Sequence, residues 1–533
     1  MEETKRINMA KTKNGSGRFS ALRWLAVAVS LSLVNTGWSE PVSSTRPVDL
    51  GSRRELFVDD LLIGELDGTT LEMHRPQPGG VAIRYDGPAD GIFSFYTTVL
   101  KDGDVYRMYY RGYEPEARFG GDLKKNLTCY AESDDGIHWT KPDLGIIEIN
   151  GSGDNNAILP SGMTFCPFID NRPGVPPSER YKANMESRDP RPNGLMGYVS
   201  GDAIHWRLVS EEPIVRPTLP NHFDSQNVMF WSEVEKSYIL YARYAAGADP
   251  LSEHSIGGGL RAFARAVSDD FLSWSDPVPV TYSDTGSTMP SQHLYTNQTQ
   301  PYFRAPHIYI SLPGRLQQGR RVLTDEQGAM VGVNDGGGGV KDVADGVLLT
   351  SRAGTSLFDF TFRESFVRPG IGYNNWTSRN NYPALGVVPT GPDEMSIYVQ
   401  RNYGQRSARL ERMTLRLDGF VSVNAPYDGG RFVTRPLTFS GTILEINYST
   451  SAAGSMRVEI LDTDGSPIEG YALADCHEII GDEISRIVRW EKGSDLSGLV
   501  GRPVRLKFHM VDADLYSIRF RGCLKSAEAC RRD

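Results

Sequence analysis

SDDGIHW at 133–139, SGDAIHW at 200–206 and SDDFLSW at 268–274 are three copies of one segment. Their tryptophans, Trp139, Trp206 and Trp274, stand 67 and 68 residues apart. A fourth, weaker copy, SRAGTSLF at 351–358, is delayed by a glycine-rich insertion around 336–339. Each reads as a polar turn between two strands, with the aromatic opening the second. A second repeat runs out of phase with the first. Segments 93–100 and 105–111 flank the turn 101–104, and 228–231 and 238–244 flank 233–236. Comparable pairs fall at 164–169 with 181–185, 300–303 with 307–311, and 382–388 with 395–401. All are alternating, β-branched or aromatic runs bounded by Gly, Pro, Asp and Asn.

Five such pairs, each followed by another, make four-stranded units at a period near 67 residues. That period in an all-β chain predicts a five-bladed β-propeller over 40–419. The fifth unit has its pair at 382–401 and one further strand near 408–417, so it is one strand short. N-terminal strands at 56–62 and 70–74 are expected to complete it and close the ring. After Asp418 short strands at 442–448, 455–461 and 504–510 predict a separate β-sandwich over 420–522, followed by a polar tail at 523–533.

The composition fits this reading. Of 533 residues, 39% are hydrophobic and 23% charged, an ordinary globular balance, and 24 tyrosines favour strands. The net charge of -9 excludes nucleic acid as a partner, since phosphate binding needs concentrated Lys and Arg. Cys129, Cys166, Cys476, Cys523 and Cys530 are scattered and lack CxxC spacing, which excludes a disulfide-dense scaffold and a zinc ribbon. Six basic residues before Trp24, an apolar run over 24–34 and Gly37-Trp38-Ser39 have the layout of a secretory signal peptide over 1–39. The apolar run is about half of the ~20 residues that a membrane span needs. The expected product is secreted or periplasmic, with no membrane association after cleavage.

CYAESDDGIHWTKPDLG (129–145), HFDSQN (222–227), YTNQTQPYFRAPHI (295–308) and ESFVRPG (364–370) resemble segments of uncharacterised exported propeller proteins. With the sandwich, the architecture resembles glycoside hydrolase families 32 and 43. The resemblance covers about 55–520 and implies a carbohydrate substrate and hydrolysis of O-glycosyl bonds. WMNDPN-like and ECP-like segments of those families are missing, so their catalytic acids do not transfer by motif. The repeated turns also resemble the Asp-box of sialidases, a structural feature there. Asp134, Asp202 and Asp269 are accordingly read as turn residues.

In a propeller blade, starts of first strands and ends of second strands share one face, which carries the funnel. Hairpin turns lie on the other face, which removes Asp102, Asp104, Asp170 and Glu233. The acids left are Asp86, Asp90, Glu114, Glu116, Glu186, Asp189, Asp224 and Glu364. Glycoside hydrolysis needs two carboxyl groups flanking the bond. In the resembled families they come from innermost strands, a pattern that Asp90 and Asp224 fit, with Glu186 and Glu364 competing for the proton-donor role. His222, Gln226, Asn227, Asn297, Arg304, Arg315, Trp376, Arg379 and Asn380 supply polar groups and an aromatic platform for a sugar, or arginines for an acidic glycan. His222 and His307 are the candidate ligands of a metal in the channel; no other cofactor is implied. P-loop, GxGxxG, GxSxG and HExxH patterns are missing. The rival expectation is a non-catalytic glycan-binding propeller, in which only one acid lines the funnel.

Overall fold

In the computed structural model, residues 46–113, 126–160, 164–187, 193–249, 258–333 and 339–522 are described. The leader, Glu114, Glu116, Asp189, most of the glycine-rich insertion, Cys523, Cys530 and the tail lie outside them. The described chain is nearly all β, with one short α-helix, Asp325–Met330. Among the described residues no helix is long and apolar enough to cross a membrane.

Five antiparallel sheets follow one another along the chain. The first holds Phe95–Asp102, Val105–Tyr113, Asn126–Ser133 and Ala157–Leu159; the second Cys166–Ile169, Tyr181–Ser187, Gly194–Ser200 and Arg207–Leu208. The third holds Val228–Ser232, Ser237–Ala246, Leu260–Ser268 and Val278–Pro279. The fourth holds Thr299–Tyr302, Ala305–Ser311, Leu349–Arg352 and Leu357–Asp359, with Thr281–Tyr282 added in parallel at its edge. The fifth holds Val388–Pro389, Glu394–Arg401 and Arg409–Arg416.

The strand that completes the fifth sheet is Gln77–Arg84, paired with Arg409–Arg416. This corrects the expected partners. Arg54–Leu56 pairs with Arg505–Arg521, Ile63–Asp67 with Gly430–Thr434, and Thr70–Met73 with Val421–Ala425. The C-terminal sheet system therefore draws strands from both ends of the chain and does not begin at residue 420. Its expected short strands are parts of two long ones, Ile443–Leu461 and Arg505–Arg521, which pair with each other through two register shifts.

Each pair of neighbouring sheets shares an apolar core. Tyr109 and Tyr130 meet Phe165 and Tyr181 between the first and second sheets, and Phe168 meets Tyr238 and Phe271 between the second and third. Tyr241 and Phe263 meet Tyr309 and Phe358 between the third and fourth. Ile308 and Ile310 meet Ile397 and Val399 between the fourth and fifth, and Tyr398 and Leu410 return to Met108 and Tyr110 of the first. Burying each such side chain contributes about 1.5–3 kcal/mol relative to exposure.

The repeated turns tie these interfaces. Ser133 Oγ accepts from the N–H groups of Asp135 and Gly136, and Asp135 Oδ1 accepts from those of Ile137 and His138. Asp202 and Asp270 repeat the pattern with Ser200 and Ser268. The turn acids are thus Asp135, Asp202 and Asp270; Asp134 and Asp269 are their neighbours. The residue after each acid has a positive φ, 72° at Gly136, 72° at Ala203 and 74° at Phe271. At Gly136 and Ala203 that conformation turns the carbonyl toward the neighbouring sheet. Tyr398 donates to Gly136 O at 2.5 Å and Tyr109 to Ala203 O at 2.9 Å. Gly136 cannot carry a side chain, because a Cβ there would lie 2.9 Å from Thr390 Cγ2 and 3.0 Å from the Tyr106 ring.

Candidate functional site

Asp224 lies in a bend just before the first strand of the third sheet. The bend is held by backbone and side-chain bonds: Phe223 N–H donates to Arg243 O (2.9 Å) and Ser225 Oγ to Tyr295 O (3.0 Å). Phe223 takes a positive φ of 70°, which reverses the chain there. The Asp224 carboxylate is 35% exposed and pairs at 2.5 Å with Nη1 of Arg243, whose side chain is 1% exposed. Nη1 also donates to the Asp224 carbonyl. Arg243 stands on Ser237–Ala246 opposite Phe263, and Ala245 stands opposite Arg261. Opposed residues share a face, so Arg243 and Arg261 are diagonal neighbours on one side of the sheet.

Three guanidiniums converge on the Tyr295 ring. Arg261 lies 4.8 Å from its centroid, and Arg243 and Arg379 each lie 5.9 Å from it. Burial pushes the Tyr295 phenol up, but Arg379, Arg261 and Arg243 outweigh it and hold the group below its ordinary value. Burial and the like charge of Arg243 push Arg261 down. Phe95, Tyr96, Tyr382 and Tyr403 complete an aromatic wall around Tyr295. Beneath it, Tyr96, Thr97, Thr296, Gln298, Tyr382 and Gln400 line a void of about 10 Å³, the size of one water.

His222 stacks on Phe223 at 3.9 Å, and its Nδ1 accepts from Thr218 N–H. Burial alone pulls its ring down to about 4, so it is neutral at pH 7. Glu186 stands near the end of Tyr181–Ser187 on the neighbouring sheet, and its N–H donates to Thr164 Oγ1. Two residues earlier, Asn184 Nδ2 donates to Asn227 O at 2.9 Å. Alternation puts Asn184 and Glu186 on one face, so this bond brings Glu186 toward the segment that carries Asp224.

Other expected site residues have other work. Asp90 is buried, with Tyr110 Oη at 2.8 Å, Gly87 N–H at 2.9 Å and Lys141 on its carboxylate, so it is a sealed ion pair and not a funnel acid. Glu364 is exposed, and Arg363 beside it gives its carbonyl to Arg315. Gln226, Asn227 and Asn297 are fully buried and lash strands together: Gln226 to Thr98 and Gln298, Asn227 to Phe223 O and Arg243 N–H, Asn297 to Tyr241 O and Thr299 N–H. Their side chains are thus committed to the sheet junctions and closed to solvent. Arg304 pairs at 3.2 Å with Asp418, at the junction with the C-terminal sheet system. Arg315 forms a bidentate pair with Asp345 at 2.7 and 2.5 Å. His307 sits at 2.8 Å from Glu55 and does not meet His222. Among the described residues no group of three or more His, Cys, Asp and Glu could hold a metal. Trp376 is half-buried, its indole N–H on Gly370 O, three residues before Arg379; Asn380 donates to Asn374 O.

The mouth of the third sheet, where Val228–Ser232 begins and Ser237–Ala246 ends, carries Asp224 and His222, with Arg379 reaching it across Tyr295, while Glu186 stands on the strand that Asn184 ties to Asn227. Arg243, Arg261, Tyr295, Tyr96 and Tyr382 are functional candidates that the sequence reading missed. Extending the strand-end rule from acids to arginines, and to starts of third strands, would have found the first two.

No family model matches the chain, and no curated protein matches it. Solved structures similar to it include a glycoside hydrolase with 11% identity and a TM-score of 0.43, covering 64% of this chain and 92% of that one. Another is a family 43 arabinoxylan arabinofuranohydrolase from Bacillus subtilis in complex with cellotetraose, at 12% identity and TM-score 0.40, covering 84% and 99%. A third is an N-acetylgalactosamine deacetylase from F. plautii in complex with blood group B trisaccharide, at 10% and 0.40, covering 66% and 96%.

Proposed function

We propose that this chain is an exported five-bladed β-propeller with a β-sandwich, and that it hydrolyses glycosidic bonds in a polysaccharide or oligosaccharide at the third-sheet mouth. The observation that carries this is the Asp224 carboxylate, one-third open to solvent and pinned by the buried Arg243. A fixed, ion-paired carboxylate suits a base, a nucleophile or a hydroxyl-orienting group. Glu186 is the second carboxyl group and the proton donor in this reading, supported by the Asn184–Asn227 bond that ties its strand to the segment carrying Asp224. The C-terminal sheet system holds no catalytic acid in this reading.

The test is Asp224→Asn, which keeps the shape and removes the charge. Turnover on a panel of glycans is expected to fall at least ~100-fold, the low end of a general acid–base contribution, with the melting temperature as folding control. Equal turnover in the two proteins removes Asp224 from the mechanism. A second reading, a non-catalytic glycan binder, is favoured by the sealing of Asp90 in an ion pair. It predicts binding without bond cleavage by the wild type.

A further inference from the structure

Buried guanidinium groups are costly unless their donors are satisfied. Arg243 is 1% exposed and Arg261 8% exposed. Nε and Nη2 of Arg243, and Nε and Nη1 of Arg261, are buried without a hydrogen-bond partner among the described residues. Arg243 spends only Nη1 on Asp224, and Arg261 pairs with no carboxylate among the described residues. Arg379 brings a third positive charge to the same ring. These buried, unused donors stand beside the partly exposed Asp224 carboxylate, and an oxyanion is the acceptor whose charge and lone pairs match them. A neutral sugar hydroxyl would satisfy the geometry of one donor and leave the charge uncompensated.

We propose that the Arg243–Arg261–Arg379 cluster over Tyr295 is a subsite for an anionic substituent of the glycan, a uronate carboxylate or a sulfate ester. This deepens the hydrolase reading and rests on it only for the word glycan. The oxyanion would accept from Arg261 and from the unused edge of Arg243, while Asp224 keeps Nη1. The like charges of Arg243 and Arg261 then become the means of selecting an anion, and Asp224, itself negative, sets the orientation by repelling the anion from its own edge.

The cluster also predicts an inverse effect on stability. An unpaired buried charge destabilises the empty protein, so Arg261→Met, which keeps the length and removes the charge, is expected to melt no lower than the wild type and to lose the anion. The experiment is a thermal-shift and calorimetric titration of the full chain with galacturonate, galactose 6-sulfate and galactose as probes. The wild type is expected to gain several degrees with at least one charged probe and none with galactose; whichever charged probe binds assigns carboxylate or sulfate. A hydrogen bond to a charged group is worth about 1.5–3 kcal/mol, so Arg261→Met should bind that probe about 10- to 150-fold more weakly. Arg261→Lys, which keeps the charge, is the second variant and should retain part of the affinity even if Arg261→Met is poorly folded. The proposal is overturned if neither charged probe shifts the wild type, if galactose shifts it equally, or if both Arg261 variants bind as tightly as the wild type. Anion binding without turnover would sink the hydrolase reading and leave this one standing; turnover on neutral glycans alone would do the reverse.

Discussion

Replacing Asp418 by asparagine removes one charge from the centre of the junction between the fourth sheet and the C-terminal sheet system. Asp418 is fully buried. It accepts from Tyr302 Oη at 2.8 Å, Ser517 Oγ at 2.7 Å and Asn447 Nδ2 at 3.1 Å, and pairs with Arg54 at 3.3 Å and Arg304 at 3.2 Å. Asparagine keeps one acceptor and the size, but it turns a donor toward the two arginines. Removing one partner of a buried pair costs about 3–5 kcal/mol. Arg54 retains Glu445 at 2.5 Å, so the lower end applies. Unfolding entropy of about 2.1 cal/mol/K per residue makes 1 kcal/mol worth about 1 °C in a chain of 533 residues, so the expected loss is about 3 °C. Calorimetry at pH 7 measures it, with the exposed Asp428→Asn as a control within 1 °C. A melting temperature for Asp418→Asn equal to that of the control would refute the idea that this carboxylate holds the two sheet systems together.

Glu55 and His222 are two contributors to the acid limb of stability. Burial pushes Glu55 up, but His307 and Arg352 outweigh it and bring it down to about 2 from 4.5, so its contribution is complete above pH 4.5 and is lost as pH falls through about 2. His222 sits at about 4 against an ordinary 6.5, so the fold favours its neutral ring; that contribution is complete above pH 6.5 and is lost as pH falls toward 4, about 3 kcal/mol in all. His74, His293 and His509 are pushed down as well, so melting curves of His222→Gln should show a shallower slope between pH 4 and 6.5 than the wild type; an unchanged slope would remove His222 as a contributor. Asp135→Ala deletes acceptors for two turn N–H groups and is expected to cost about 1 kcal/mol, read by urea unfolding, whereas Asp134→Ala should be silent. Gly112→Ala would put a Cβ 2.3 Å from Cys129 Sγ and 2.4 Å from Ala89 O, and should lower stability by at least 1–3 kcal/mol; a wild-type midpoint would contradict the packing between the first sheet's strands.

The Ser-x-Asp turns made the repeat legible because each is a local device: a serine, an acid two residues on, and an aromatic four residues after that acid. Sheet closure is not local. QPGGVAIR at 77–84 carries a proline and two glycines and reads poorly as a strand, yet it forms the outer edge of the fifth sheet, where such residues are tolerated. Segment 70–74 reads as a strand and is one, but its partner lies 350 residues away. At the site, the position of Asp224 followed from strand order. The roles of its neighbours did not, since buried amides that lash sheets together and amides that hold a sugar are the same residue types. Arg243 and Arg261 were hidden for a related reason. Inside YILYARYAA and LRAFARAVS an arginine reads as the solvent face of a strand, and only the ring of neighbouring sheets makes that face an interior.

The most direct measurement of the central claim is ¹H NMR of the wild type, Asp224→Asn and Glu186→Gln incubated with neutral, uronate-bearing and sulfated glycans, following new reducing-end anomeric signals. Such signals are expected from the wild type with at least one anionic glycan, with a loss of at least ~100-fold in both variants. Binding of that glycan by the wild type with no reducing end released, or equal release by all three proteins, would contradict the claim.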